Sequence, residues 1–113
     1  MSDPNQGFRL KFNDSEAIAA NKTRKELLLL FVALQHTGHS PEDAESQAMV
    51  ERYRNEYIDV YLFTSSPIQI FALGTAISLD PYNRMECEEI AEGLADFLSQ
   101  AMLAYYHKQK EQA

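Results

Sequence analysis

Apolar residues recur at spacings of three and four along most of the chain, which is the periodicity of an amphipathic α-helix. A first helix is predicted to begin at about Asp14, where Asn13 can cap it and Glu16 stands at capping-box spacing. It is predicted to end at Gly38, a residue that favours the left-handed conformation of a helix C-terminus. The run from 27 to 34 is apolar nearly all round, so we expect other helices to surround it.

Two Ser-Pro pairs mark the starts of two further helices, since serine caps well and proline suits the first turn. Ser40-Pro41 starts a second helix, predicted to end near Leu62. Ser66-Pro67 starts a third helix, predicted to end near Ile77. Within the third helix, Gly74 lacks a side chain and is expected to let another helix cross closely.

A last helix is predicted from about Arg84 to His107, with Asn83 and Glu86 at capping-box spacing. Its apolar stripe consists of Ile90, Leu94, Phe97, Leu98, Ala101 and Tyr105. No segment alternates with period two for long enough to predict a strand. The pattern therefore predicts an all-α protein of four main helices plus short ones. These form a single globular domain over residues 13–113, after a flexible segment at 1–12.

Composition and charge narrow the choice of partners. The 113 residues carry 10 basic and 17 acidic side chains, a net charge of −7, so we expect no nucleic-acid binding by this chain alone. The longest apolar run has eight residues, too few to span a membrane, and no signal peptide precedes it. These features favour a cytoplasmic protein without a membrane partner.

No residue set predicts catalysis or a cofactor. Cys87 is the only cysteine, which excludes an internal disulfide and a cysteine-rich zinc site. His36 and His39 are three residues apart, but Gly38 lies between them, and a metal site needs three or four converging ligands. No histidine occupies an apolar helix face where it could bind haem. No nucleophile has a partner base in a recognisable motif, so we expect neither an enzyme nor a metal or other cofactor.

The aromatic residues of the second helix carry the candidate chemistry. Tyr53, Tyr57 and Tyr61 are four residues apart and lie near one helix face, followed by Phe63 and Phe71. Such a row is either a core stripe whose hydroxyls reach the surface, or the wall of an apolar pocket with polar groups. Residue chemistry alone leaves both interpretations open.

The stretch FALGTAISLDPYNRMECEEIAEGLADFLSQAM and the preceding YLFTSS resemble the TipAS family. These are antibiotic-recognition domains of MerR-type drug-responsive activators, also found as separate drug-binding proteins. The resemblance covers about Ser46 to Tyr105. It lies in a Leu-Gly pair, a later Asp-Pro pair, and then Gly-Leu-Ala, an aromatic, Leu and a small residue. These are Leu73, Gly74, Asp80, Pro81, Gly93, Leu94, Ala95, Phe97, Leu98 and Ala101.

The resemblance implies a globin-like helical fold without haem and a cleft for bulky, mostly apolar antibiotics such as thiopeptides. Residues 13–39 would correspond to the family's lid, and residues 40–108 to its core. Thiopeptide-binding members carry a cysteine in the aromatic turn that captures the ligand covalently. This chain has Ser65 at that position, so the expected binding is non-covalent.

These observations give one hypothesis and one alternative. The hypothesis is a non-enzymatic domain that binds a bulky, antibiotic-like molecule and serves as a sensor or sequestering protein in transcriptional drug response. Its expected ligand-binding residues are Tyr53, Tyr57, Tyr61, Phe63, Ser65 and Phe71. The alternative is a helical protein–protein interaction or homodimerisation module without a ligand pocket.

Overall fold

The computed structural model describes residues 14–112, and every regular element within that range is helical. The described part of the chain contains α1 (Asp14–His36), α2 (Ala44–Tyr53), a π-helix (Arg54–Leu62), α3 (Pro67–Leu79), α4 (Pro81–Ile90) and α5 (Leu94–Gln112). The predicted all-α class is confirmed. The Asn13 cap and the flexible segment 1–12 lie outside the described residues.

The most extensive helix contact joins α3 to α5, and Gly74 makes it possible. A Cβ atom at Gly74 would lie 2.9 Å from the Cβ of Met102 and 3.2 Å from the carbonyl oxygen of Ser99. The Ser99 hydroxyl donates a hydrogen bond of 2.7 Å to the Gly74 carbonyl. The predicted close crossing at Gly74 is therefore confirmed.

The core is built around α5. Leu94, Leu98 and Ala101 are at most 1% exposed, and Phe97 and Tyr105 are also buried. Ile90 of the predicted stripe is only partly buried and packs against the core from α4. Leu28 and Phe31 of α1, Val50 of α2, Ile58 of the π-helix and Ile70 of α3 complete the core.

The prediction of a single last helix is wrong, because this region forms two helices. Helix α4 ends at Ile90, where Ala91 is extended, and Gly93, with φ +82°, makes the left-handed turn before α5. The Glu88 carboxylate accepts hydrogen bonds from the amides of Gly93 (2.9 Å) and Ala95 (3.0 Å), which caps the start of α5. The cap of α4 is Asp80, whose side chain accepts from the Asn83 amide, so Asn83 is not the capping residue.

The second helix also departs from its predicted form. It begins at Ala44, because the Asp43 carboxylate caps it by accepting from the Ser46 amide at 2.9 Å. The Ser40 hydroxyl instead accepts from the Glu42 amide in the preceding turn. From Arg54 to Leu62 the helix widens into a π-helix, which ends where the Phe63 amide donates to the Ile58 carbonyl, five residues back.

Helix α1 ends before Gly38, whose φ of +82° confirms the predicted stop. The prediction that other helices surround its apolar run is wrong. Leu27 and Leu28 are buried, but Leu29 and Leu30 are 49% and 38% exposed. Helix α1 packs mainly against α2, the π-helix and α5, and Arg24 also pairs with Glu86 of α4.

Over residues 14–112, no single helix is both long and apolar enough to cross a membrane. Ala44–Leu62 and Pro67–Leu79 reach the length and hydropathy of a span only when taken together, and they meet at an angle of 92°.

Candidate functional site

A cleft of about 130 Å³ lies where α1 approaches the π-helix, α3 and the start of α4. Below, "the cleft" means this space. Aliphatic side chains form most of its walls, while an arginine, two tyrosines and an asparagine provide its polar groups. The lining residues are Arg24, Tyr53, Tyr57, Ile58, Leu62, Leu73, Ala76, Ile77, Asn83 and Met102. Apolar walls with a few polar groups are typical of small-molecule sites.

The three tyrosines form a continuous row of ring contacts that starts in the core. Tyr53 lies 6.1 Å from Phe31 and 5.2 Å from Tyr57, measured between ring centroids. Tyr57 lies 6.1 Å from Tyr61. Tyr53 is 6% exposed, whereas Tyr57 and Tyr61 are half-buried. The row therefore combines both interpretations, because Tyr53 belongs to the core and also lines the cleft with Tyr57.

Among the described residues that line the cleft, Arg24 is the charged one. Its guanidinium lies beside the Tyr53 hydroxyl and favours the ionised form of that group, and its Nη1 lies 3.7 Å from Glu86 Oε2. Burial raises the pKa of both Tyr53 and Tyr57, and the positive charge of Arg24 opposes this rise only in part. Both hydroxyls are therefore neutral near pH 7 and can donate hydrogen bonds.

Tyr61 and Phe63 lie outside the cleft. They line a neighbouring open groove of about 480 Å³ with Asp59, Val60, Thr64 and Glu16. Leu62 borders both spaces, so this groove is adjacent to the cleft. Tyr61 and Phe63 are thus positioned to contact a ligand that extends beyond the cleft.

A second open groove lies on the opposite side of Arg24, between α1 and α4. This α1–α4 groove has about the same volume of 480 Å³ and is lined by Arg24, Lys25, Leu29, Glu86, Glu89 and Ile90. Because Arg24 borders both spaces, it stands between the cleft and the α1–α4 groove.

Ser65 is buried in a hydrogen-bond cluster and does not line the cleft. Its hydroxyl donates to Asp59 Oδ1 at 2.7 Å and accepts from Arg54 Nε at 2.8 Å. Its amide also donates to Asp59, and these bonds lower the pKa of the Asp59 carboxyl. The Ser65 hydroxyl is fully engaged by a carboxylate and a guanidinium, which fixes the turn after the π-helix.

Arg54 extends this cluster to α5. Its Nη2 donates to the Ser65 carbonyl at 2.7 Å and its Nη1 to the Tyr105 hydroxyl at 2.8 Å. That hydroxyl donates in turn to Glu51 of α2. One guanidinium thus joins the π-helix, the turn 63–66 and α5. π-Helices are rare and occur often at functional sites, and here the π-helix carries Tyr57 and Ile58 to the cleft.

Phe71 lies apart from the other predicted site residues. Its ring packs against Tyr106 at 5.0 Å and His107 at 6.1 Å near the end of α5. The structure therefore brings Tyr53 and Tyr57 together in the cleft and Tyr61 and Phe63 beside it. It does not bring Ser65 or Phe71 to the cleft.

Sequence reasoning missed Arg24, although the sequence contains an indication of it. Arg24 lies three, four and seven residues before Leu27, Leu28 and Phe31, the buried stripe of α1. A charged residue on a stripe that is otherwise buried needs a partner or a function. Leu73, Ile77, Asn83 and Met102 come from three separate helices, so no local pattern could have grouped them.

Of the other candidate residues, His39 contacts carboxylates and Cys87 is buried, whereas His36 is exposed. Within residues 14–112, no group of three or more His, Cys, Asp or Glu side chains could hold a metal ion. His39 contacts Asp43 at 2.8 Å through Nδ1 and Glu45 at 3.1 Å through Nε2. Cys87 is 1% exposed, and burial raises the pKa of its thiol, so the thiolate is disfavoured.

Comparison with known proteins gives one match. The family model of the TipAS antibiotic-recognition domain matches residues 9–105. No curated protein and no solved structure matches the chain. The match extends to α1, well beyond the segment from Ser46 onward in which the sequence motifs lie, and it includes all residues that line the cleft.

Proposed function

The chain belongs to the TipAS family of antibiotic-recognition domains, and from this premise we propose that it is a non-enzymatic domain that binds an antibiotic-like, mostly apolar molecule in the cleft. The observation that carries the proposal is the cleft itself. Tyr53 and Tyr57 stand against aliphatic residues from three helices there, so rings can stack on the ligand while hydroxyls orient it. Because the Ser65 hydroxyl is held between Asp59 and Arg54, binding is non-covalent.

The size of the cleft indicates how a bulky ligand enters. A pocket for a drug-sized molecule measures about 300–1,000 Å³, whereas the cleft measures about 130 Å³. In α1, only Ala20 is buried before Leu27, so the N-terminal half can move outward with little loss of apolar contact. We assign the lid function to this half, with Leu27, Leu28 and Phe31 as its anchor.

Ligand uptake would serve transcriptional drug response in one of two ways. The domain either sequesters the drug or acts as a sensor through a DNA-binding partner. The net charge of −7 disfavours direct binding to phosphates, so we expect the chain alone to bind neither duplex DNA nor a membrane. These properties suit a cytoplasmic protein.

One observation supports the alternative of a homodimer. Leu79, Tyr82 and Met85 lie at the corner between α3 and α4 and are 74%, 63% and 50% exposed. Exposed apolar residues that are close together often mark a protein interface. A dimer through this corner would leave the cleft accessible, so dimerisation and ligand binding are separately measurable.

A thermal-shift screen against antibiotics and hydrophobic drugs tests the proposed function. A ligand of the native state raises the melting temperature. The rise should be lost or reduced in Tyr57→Ala and preserved in Tyr82→Ala, which removes an exposed tyrosine that does not line the cleft. If no compound raises the melting temperature, and light scattering shows a dimer that Tyr82→Ala dissociates, the interaction module is the better explanation.

A further inference from the structure

Arg24 gives the cleft a specific electrostatic character. The chain is acidic overall, yet among residues 14–112 the one charged residue in the lining of the cleft is a cation. The other lining residues in this range are apolar or neutral, so none of them opposes Arg24 with a carboxylate. A partly buried guanidinium between aliphatic walls interacts with an anion more strongly than a guanidinium in open water.

The partners of Arg24 leave part of its guanidinium available. The Tyr53 hydroxyl lies beside it. Glu86 is 3.7 Å away, longer than the 2.7–2.9 Å that is usual for a charge-assisted hydrogen bond. The side chains of Arg24 and Glu86 are 27% and 34% exposed. Since a guanidinium has five N–H donors in a planar fork, Arg24 can still donate two hydrogen bonds to a carboxylate in a bidentate arrangement.

The volume of the cleft suits one flat ring. An engineered apolar cavity of about 150 Å³ in another protein holds benzene, and the cleft measures about 130 Å³. Tyr57, Leu62, Ile77 and Met102 supply the apolar surfaces for such a ring. Beyond Arg24, the α1–α4 groove offers room for the remainder of a larger molecule.

We propose that the cleft recognises aryl carboxylates, with the ring between Tyr57 and the aliphatic wall and the carboxylate paired with Arg24. This inference rests on the proposed function and narrows its ligand class. On binding, the ligand carboxylate takes the place of Glu86 beside the guanidinium. Arg24 then selects for an anionic end, and the cleft selects for a flat ring.

A matched pair of probes tests the inference. Benzoate and benzamide have nearly the same shape and a single flat ring, but only benzoate carries a charge. Dissociation constants are measured by NMR titration, with the methyl resonances of Leu62, Ile77 and Met102 to locate the bound probe. The wild-type protein should bind benzoate about tenfold more tightly than benzamide, the scale of one charge-assisted hydrogen-bond pair.

Four variants separate the effect of Arg24 from that of the overall charge of the protein. Arg24→Gln should reduce the preference for benzoate to about onefold, whereas Glu86→Gln should increase it because a competing carboxylate is gone. Lys22→Gln removes the same charge from the same helix at a side chain that is 75% exposed, and it should leave the preference unchanged. Arg24→Lys keeps the charge without the fork and should retain part of the preference.

The outcomes distinguish this inference from the proposed function. Equal affinities of the wild-type protein for both probes would overturn the inference and leave ligand binding in the cleft intact. A benzoate preference that Arg24→Gln and Lys22→Gln reduce equally would also overturn it. If neither probe shifts the cleft methyl groups, the aryl carboxylate class is wrong, and the antibiotic panel alone then decides the proposed function. The wild-type comparison remains decisive even if a variant at Arg24 melts early.

Discussion

The crossing of α3 and α5 and the region around the cleft are built in opposite ways. At the crossing, the Gly74 backbone lies directly against Met102 and Ser99, and the Ser99 hydroxyl ties the two helices together. Around the cleft, Leu29 and Leu30 of α1 are exposed, and about 130 Å³ stays open. One set of helices thus encloses both a close-packed crossing and an open site.

The difference shows that the crossing stabilises the fold, whereas the region around the cleft can adapt to a ligand. Close-packed contacts tolerate little change of volume, so the crossing fixes the relative position of α3 and α5. The cleft is bounded in part by half-buried side chains such as Tyr57, Leu62 and Ile77, and by the N-terminal half of α1, which has few buried residues. A ligand can therefore displace this half without disturbing the crossing. Substitutions on the two sides should have different consequences.

The largest expected effect is that of Leu94→Ala in the core. Leu94 is fully buried, so the substitution should reduce the free energy of unfolding by about 2–5 kcal/mol. Leu62→Ala makes the same change beside the cleft. It should reduce the free energy of unfolding clearly less, because Leu62 is partly exposed and already faces open space. Urea denaturation measures both. A loss of less than about 1 kcal/mol for Leu94→Ala would show that the stripe of α5 is not the core.

The helix crossing itself is tested by Gly74→Ala. An added Cβ would meet the Cβ of Met102 and the backbone of Ser99, so we expect a loss of about 1–3 kcal/mol from overpacking. Helix propensity alone predicts the opposite, a gain of up to about 1 kcal/mol. Ala72→Gly makes the reverse change at an exposed position of the same helix. Its loss of stability therefore measures the difference in helix propensity between alanine and glycine. Stabilisation by Gly74→Ala would mean that the two helices are not in close contact.

The hydrogen-bond cluster around Arg54 should hold the π-helix against the rest of the molecule. Arg54→Gln removes bonds to Ser65 and Tyr105 and should cost about 1–3 kcal/mol, because buried polar groups lose their partner. Arg52→Gln is the control, since Arg52 pairs with Glu56 at the surface and is half exposed. That surface pair contributes at most about 1 kcal/mol. Equal effects of the two substitutions would argue against a fixed turn at 63–66.

A small, pH-dependent effect is expected at His39, outside both regions. Its hydrogen bond with Asp43 raises the pKa of His39, so this stabilisation is complete below about pH 6.5, the unfolded value, and is lost as pH rises through the raised pKa. The amide of Ser46 and then His39 lower the pKa of Asp43 to about 2. The stabilisation that the ionised Asp43 provides is present above about pH 3.9, its unfolded pKa, and is lost as pH falls towards about 2.

The stabilisation by both groups should therefore be greatest between about pH 4 and 6.5. Above about pH 6.5, the melting temperature should fall slightly more steeply with rising pH in the wild-type protein than in His39→Gln. His36→Gln, at an exposed position, serves as the control and should follow the wild-type curve. Identical curves for all three proteins would show that the contacts of His39 contribute nothing to stability.

The sequence predicted those parts of the fold that depend on local interactions. Ser66 and Pro67 start α3 with a capping box, Gly38 ends α1 in a left-handed conformation, and Gly74 allows the crossing. The pattern predicts Gly93 within a helix, because the apolar stripe of Ile90 and Leu94 continues across it. The stripe persists because both helices face the same core, so periodicity alone could not reveal the break.

The candidate site was harder to predict than the fold. The spacing of Tyr53 and Tyr57 indicated a shared face, and both reach the cleft. Phe71 lies on a different helix, and only the angle between the π-helix and α3 decides that it faces Tyr106. The family resemblance predicts Ser65 at the site. In the structure, Arg54 and Asp59 hold its hydroxyl by hydrogen bonds from positions 11 and 6 residues away. Such contacts depend on tertiary geometry that no linear spacing encodes.

The most direct test of the central claim is a methyl NMR titration of the wild-type protein with the strongest compound from the thermal-shift screen. Binding in the cleft predicts the largest chemical-shift changes at Leu62, Ile77 and Met102, with smaller changes at Ile70, which is buried but does not line the cleft. Changes confined to Leu79 and Met85, at the exposed corner between α3 and α4, would contradict the claim and place the ligand outside the cleft.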